Sequence, residues 1–195
     1  MAGKSLRSIR FRSIKMKGRV LISEPFMPDP TFMRSVVLIA EDDKNGTVGF
    51  VLNQQTTHRV DSIVEMIQGL NNLAYQGGPV ELQSFHYIHK YKHIADCHAI
   101  QDGVYWGGDF EQICTEIVAG TIDPAGIKFF VGYSGWATDQ LEAELEEKSW
   151  IVGDLDAEHI FNQDIQDGEL WKLAIRSKGG TDSLLANSPI YPNLN

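Results

Sequence analysis

The stretch SVVLIAEDDKNGTVGFVL, residues 35–52, decides the fold. It contains two apolar runs of strand length, SVVLIA at 35–40 and TVGFVL at 47–52, separated by the polar segment EDDKNG. Asn45 and Gly46 tolerate the positive φ angles that tight hairpin turns require. The stretch therefore predicts a β-hairpin.

Further strand-like runs lie on both sides of this hairpin. The run that precedes it stops before Pro25, because proline lacks the backbone donor that a sheet needs. Strands are predicted at residues 18–24, 85–88, 103–106, 127–133 and 150–152.

Two helices are predicted in the second half of the chain, the first of them from apolar residues at helical spacing. The first is capped by Asp109 and ended by Gly120, and its periodicity turns Cys114 toward the core. The second covers about residues 167–178 and stops at Gly179.

Two more helices are predicted from apolar residues that fall on one helix face. One covers residues 63–70, with Asp61 or Ser62 as its cap. The other begins near Asp139, from a capping box of Asp139 and Glu142 and a solvated ion pair of Glu144 with Lys148. Strands that occur in hairpins as well as between helices predict a mixed, largely antiparallel sheet with about four helices packed on it, and not a regular alternating doubly wound fold.

The chain is expected to form one domain over residues 18–180, preceded by a basic arm at 1–17 and followed by an irregular tail at 181–195. Its 195 residues suffice for a core without metals or disulfides. The formal charge of −9 is unevenly distributed. Seven of the 17 basic residues precede residue 20, where there are no acids; they are Lys4, Arg7, Arg10, Arg12, Lys15, Lys17 and Arg19.

The rest of the chain carries ten basic against 26 acidic residues, a formal charge of −16. Such a body repels nucleic acid phosphates, so nucleic acid is expected to bind only through the arm. The alternative is an arm that is solvated and only balances the acidic body. Without an apolar run of about 18 residues or a secretory signal, we expect a cytoplasmic protein with no membrane partner. Cys97 and Cys114 are then reduced thiols.

Three patterns that suggest chemistry are each incomplete. His86, His89, His93 and His98 lie close in sequence, but His86 and His89 would face opposite sides of a strand, so no metal site is assigned. Ser134 stands in GYSGW, where the second glycine comes one place too early for a nucleophile elbow. The glycine pairs at 77–78 and 107–108 match no phosphate-binding fingerprint. No catalytic residue and no cofactor are assigned.

Four polar residues flank the hairpin. Asp29, Arg34 and Ser35 precede its first strand, and Asn53 follows its second, which predicts that they lie close together. Asp29 and Arg34 can pair to fix the proline-rich loop, or the group can bind a ligand. Both interpretations stay open.

These residues lie in segments that resemble the YqgE/AlgH family. The segments are GRVLISEPFMPDPTFMRSVVLIAEDDKNGTVGFVLNQ from Gly18, YQGGPV from Tyr75 and FVGYSGWATDQLEAEL from Phe130, with Trp150 following. The resemblance implies an α+β fold whose bent sheet curls into a pseudo-barrel. It implies no mechanism, because the family is labelled as transcriptional regulators but its biochemistry is unsettled. The chain departs from the family pattern at Gln54-Gln55, where Arg-Pro is common, and at Asp139, where glycine is common.

The leading hypothesis is a non-catalytic binding or regulatory protein with an unidentified protein or small-molecule partner. Its candidate residues are expected to converge in one pocket; they are Asp29, Arg34, Ser35, Asn53, Gly77, Gly78, Tyr133, Trp136 and Gln140. Trp136 has an equal alternative as a core residue. The alternative function is an enzyme for a small anionic or nucleotide-like substrate, with Arg34 as the anion clamp. A third interpretation makes the same residues structural.

Overall fold

A computed structural model describes residues 15–180 and 182–189. Ten strands form the sheet: β1 Val20–Ser23, β2 Val36–Asp43, β3 Gly46–Val51, β4 Gln55–Arg59, β5 Leu73–Gln76, β6 Val80–His89, β7 His98–Gln101, β8 Val104–Trp106, β9 Ile127–Trp136 and β10 Trp150–Gly153. The helices are α1 Phe110–Ala119, α2 Gln140–Glu146, α3 Ala157–Phe161 and α4 Asp167–Lys178. The α+β class is confirmed.

The predicted hairpin is β2–β3. Its turn is tightened by Asp43, whose carboxylate accepts a 2.7 Å hydrogen bond from the Asn45 backbone amide. Gly46 has the expected positive φ, 136°, whereas Asn45, for which a positive φ was also expected, does not have one. The strand order is β10-β1-β2-β3-β9-β6-β8-β7, with β5 beside β9 and β4 beside β5. Every pair is antiparallel except β5–β9.

The pseudo-barrel detail is wrong. No pairing joins the two end strands, β10 and β7, within residues 15–180, so the sheet stays open. The long strand β9 nevertheless links the two halves of the sheet. Its first half pairs with β5 and β6, and its second half pairs with β3.

Helices α1 and α4 confirm the sequence prediction. Asp109 caps α1 by accepting a hydrogen bond from the Gln112 amide, and Cys114 is buried. Gly179 follows the last residue of α4.

The helix predicted at residues 63–70 is absent, and two short 3₁₀ helices, Val60–Ser62 and Glu65–Ile67, stand in its place. Val64 between them is extended, which breaks the helical path. The carboxylate of Asp61 accepts hydrogen bonds from Arg59 and from the Gly69 amide, so it caps no helix. Local polar contacts of this kind compete with helix formation.

The segment expected to be an irregular tail contains a 3₁₀ helix, Asp182–Asn187. Ala186 of this helix is buried in the same apolar cluster as Trp171 and Ile175 of α4. Residues 182–189 therefore belong to the folded body. The basic arm up to residue 14 lies outside the described residues.

Candidate functional site

A groove lies between the tip of the β2–β3 hairpin, the loop after β9 and helix α2. Its volume is about 480 Å³, within the range typical of ligand sites. Apolar side chains form its floor: Met16, Ala137, Leu141, Leu145, Trp150 and Val152. The acidic side chains around it are Asp42, Asp43, Asp139 and Glu142, and Lys44 also lines it.

One carboxylate holds the floor of the groove together. Glu144 Oε2 accepts hydrogen bonds from the indole nitrogens of Trp136 at 2.9 Å and Trp150 at 2.8 Å. Its other oxygen accepts from the Gln140 side chain at 2.9 Å. The ring of Phe32 packs against both indoles. Trp136 is accordingly a core residue, and the predicted Glu144–Lys148 pair is absent.

The predicted capping box of α2 is also absent. Asp139 has a φ of 68° and its side chain makes no capping hydrogen bond. Gln140 takes over part of this role, because its side-chain oxygen accepts from the Ala137 amide at 3.1 Å. The Asp139 carboxylate consequently stays at the groove, where it adds to the acidic rim.

Arg34 points away from this groove. Its guanidinium lies over the ring of Trp171, 4.7 Å from the centroid, and donates to the carbonyls of Ser188 and Pro189. Asp29 instead accepts from the Thr31 amide at 2.8 Å and caps the 3₁₀ helix Pro30–Phe32. The predicted Asp29–Arg34 pair is not found among the described side chains.

Ser35 and Asn53 lie together, as predicted, and tie the base of the hairpin. The Asn53 oxygen accepts from the Val36 amide at 2.8 Å, and its nitrogen donates to the carbonyls of Arg34 and Asp167. The Ser35 hydroxyl accepts from the Gln54 side chain at 2.8 Å. Both residues are buried, so these bonds stabilise the fold.

Gly77 and Gly78 permit a close approach of the chain to β9. A Cβ atom on Gly77 would lie 2.3 Å from the Gly132 carbonyl oxygen, and one on Gly78 would lie 2.3 Å from that of Tyr133. Ser134 donates from its hydroxyl to the Gly77 carbonyl at 3.0 Å and is fully buried. Both glycines are therefore explained by packing.

Tyr133 lies in a second, shallower cleft of about 390 Å³ on the other side of the hairpin tip, which Trp136 also lines. The Tyr133 ring packs edge-on against the His86 ring, with 5.7 Å between the two ring centroids. Burial lowers the pKa of His86. His86 and His89 contact different neighbours, as expected for opposite faces of β6. No group of three or more metal-ligating side chains is found within the described residues.

The nine candidate residues thus form separate groups. Arg34, Ser35 and Asn53 are linked at the base of the hairpin, whereas Trp136 and Gln140 are linked through Glu144 near its tip. Gly77, Gly78 and Tyr133 meet along β9. From the arginine-containing loop, Phe32 and Met27 pack against the apolar cluster that contains Trp136 and Trp150. The single shared pocket is not formed by the residues that the structure describes.

Comparison with known proteins identifies the family of the chain. A family model described as AlgH-like matches residues 20–183. The chain belongs to the AlgH-like family. A UPF0301 protein of Cytophaga hutchinsonii is 42% identical over 181 residues, which is 92% of this chain and 98% of the relative. A UPF0301 protein of Bacteroides thetaiotaomicron is 35% identical over 92% of this chain and 91% of the relative.

Two solved structures share the AlgH-like fold. The AlgH protein of Pseudomonas aeruginosa, a solution structure, is 24% identical with a TM-score of 0.70, over 97% of this chain and 98% of that one. A Corynebacterium diphtheriae protein is 19% identical with a TM-score of 0.74, over 90% and 93% of the two chains. Both likenesses concern the fold alone. No helix in the described part of this AlgH-like chain has the length and apolarity to cross a bilayer.

Sequence reasoning missed the residues that build the groove of this AlgH-like protein. Glu144 looked like one acid on a solvated helix face, and Met16 like part of the basic arm, although it is buried beneath the rim. The spacing of Trp136, Glu144 and Trp150 carried a signal, since buried indole nitrogens require acceptors. No comparable sequence pattern indicates that Lys128, which lies within β9, is buried.

Proposed function

We propose that this AlgH-like protein is a non-catalytic binding protein whose groove beside α2 takes a basic, apolar segment of a partner protein. The observation that carries the proposal is the pairing of an apolar floor with an acidic rim in one groove. Lysine and arginine side chains of the segment lie along the rim, and its apolar side chains reach the floor. A regulatory role follows if the segment belongs to a protein whose activity depends on it.

Charge supports this class of partner. Among the described residues that line the groove, four carry carboxylates and only Lys44 carries an ammonium group, and Asp42, Asp43 and Asp139 are exposed. Complementary charge speeds encounter and selects partners more than it adds affinity. The acidic body of the chain repels nucleic acid, so the partner proposed for this groove is a protein.

The floor supports docking because it is held rigid before a partner arrives. Glu144 fixes both Trp136 and Trp150, and Leu141 is buried next to them. Such a floor loses little conformational freedom on binding, which favours affinity. A small groove of this size accommodates a few anchor side chains, as binding hot spots do.

The test is selection of peptides from a displayed random library on the full chain, followed by calorimetry with the selected peptides. We expect the peptides to combine Lys or Arg with Leu, Ile or Phe. The double variant Asp43→Lys/Glu142→Lys is expected to weaken their binding at least about tenfold, on the order of 1.4 kcal/mol. Raising the salt concentration should weaken binding to the wild type more than to this variant.

A matched control reverses two acids elsewhere, Asp102 and Glu111, which are exposed and form no side-chain hydrogen bond or ion pair among the described residues. This control should bind the selected peptides as the wild type does. Selection of acidic or uncharged peptides, or equal binding by the rim variant, would show that the groove does not have this partner.

A further inference from the structure

Arg34 has an unusual backbone. Its φ is 52°, in the left-handed region that non-glycine residues seldom adopt. Residues held in such conformations require support from their surroundings and are concentrated at functional sites. Here the support comes from Asn53, which accepts from the Val36 amide and donates to the Arg34 carbonyl.

Among the residues that the structure describes, only neutral groups hold the Arg34 guanidinium. Nη2 donates to the carbonyl oxygens of Ser188 at 2.6 Å and Pro189 at 2.8 Å. Nε is buried and donates to no acceptor in the described structure. No described carboxylate lies within ion-pair distance, and burial lowers the pKa of the group. A buried N–H without an acceptor is unfavourable.

We propose that Arg34 is the binding site for a single oxyanion group, a phosphate or a carboxylate of a small molecule, and that residues 182–189 cover this site. The guanidinium offers a planar fork, which matches the geometry of these anions. Hydrogen bonds to an anion are about twice as strong as those to neutral carbonyls. An oxyanion therefore competes with Ser188 and Pro189 for the same donors, and the ring of Trp171 supports the guanidinium from one side.

Binding of the oxyanion at Arg34 and release of residues 182–189 from the guanidinium are then thermodynamically linked. A substitution that loosens residues 182–189 must strengthen anion binding, and anion binding must loosen the segment by the same factor. Ala186 is the point at which to loosen it, because its side chain is buried whereas the neighbouring Leu184 is exposed. Ala186→Asp and Leu184→Asp change the charge of the segment equally, so the second is a matched control.

The test follows the Arg34 Nε–H signal by NMR in the full chain during titration with sodium phosphate, sodium acetate and sodium chloride at equal ionic strength. We expect a saturable shift with phosphate or acetate but not with chloride, and whichever anion saturates identifies the chemistry. Ala186→Asp should lower the dissociation constant at least about fivefold, and Leu184→Asp should leave it unchanged. Hydrogen exchange of the amides at 183–188 should speed up when the anion binds.

Two results would overturn the proposal. One is the absence of a saturable shift in both the wild type and Ala186→Asp. The other is binding that persists in Arg34→Gln, followed through the Trp171 indole signal. Hydrogen exchange of the α4 amides shows whether Ala186→Asp keeps the body folded; if it does not, Leu185→Ser provides a milder loosening for the same titration.

Discussion

Lys128 is a buried cation inside the sheet. Its ammonium group donates to the Leu52 carbonyl at 3.2 Å and lies 3.8 Å from the centre of the Tyr75 ring. Burial lowers the pKa of Lys128 to about 8, and the nearby Asp167 opposes this shift. Desolvation outweighs the nearby carboxylate, because removing an ammonium group from water is unfavourable by several kcal/mol.

The substitution Lys128→Met should remove a pH dependence of stability. Because the folded pKa is about 8 and an unfolded lysine titrates near 10.4, the unfolded chain binds more protons between these values. The free energy of unfolding of the wild type should therefore rise from pH 8 to 10, by up to about 1.4 kcal/mol per pH unit. Urea denaturation at pH 7, 8, 9 and 10 measures this rise, which Lys128→Met should lack.

Lys92→Met is the control, since Lys92 is exposed, and it should behave as the wild type does. The series stops at pH 10 because burial raises the pKa of Tyr75 and Tyr87 to about 12, and their effect above pH 10 is opposite in sign. Equal pH slopes in all three proteins would contradict the burial of a charged Lys128.

At the scale of elements, signals contained within a few residues predicted structure well. The β2–β3 turn and helices α1 and α4 are specified by local residues such as Asn45, Asp109 and Gly179, and all three form. The helix expected at 63–70 failed because the Asp61 carboxylate is engaged by Arg59, a contact that apolar spacing does not show. Strand β4, QTTHR, has no apolar alternation and depends on pairing with β5.

Gly78→Ala tests whether the glycine pair is structural. Gly78 has a φ of 151°, and an added Cβ would lie 2.3 Å from the Tyr133 oxygen and 2.4 Å from the Ser134 nitrogen. We expect a loss of stability of about 3 kcal/mol or more, because backbone atoms must move. Gly168→Ala, where a Cβ meets nothing within 4 Å, should change the midpoint of urea denaturation little. Similar midpoints for the two variants would mean that β9 can shift away.

At the scale of the molecule, the candidate site was predicted only in part. The proximity of Ser35 to Asn53 follows from the register of one hairpin, which the sequence reveals. The direction of the Arg34 side chain depends on residues 154 positions away, and no local pattern contains such a contact. The groove likewise requires Met16 and Trp150 to meet across β1 and β10.

Deletion of residues 1–14 tests the expected dependence of nucleic acid binding on the arm. Residue 16 is kept because Met16 is buried in the groove floor. Without the four basic residues of this segment, the chain should lose any affinity for duplex DNA in fluorescence anisotropy at low salt. Replacing the same four residues by Gln in the full chain should have the same effect. Unchanged binding after deletion would place the contact on the acidic body.

The positions of the tryptophans give the protein a built-in optical reporter. Trp150 lies in the groove floor, where its indole nitrogen donates to a carboxylate, and Trp171 lies under the Arg34 guanidinium. Indole emission responds to nearby charge and to water, so a docked peptide and a released C-terminal segment would each change the intrinsic spectrum. Replacing Trp106, Trp136 and either of these two by Phe would leave a single tryptophan, so that each spectral change is assigned to one site without any attached dye.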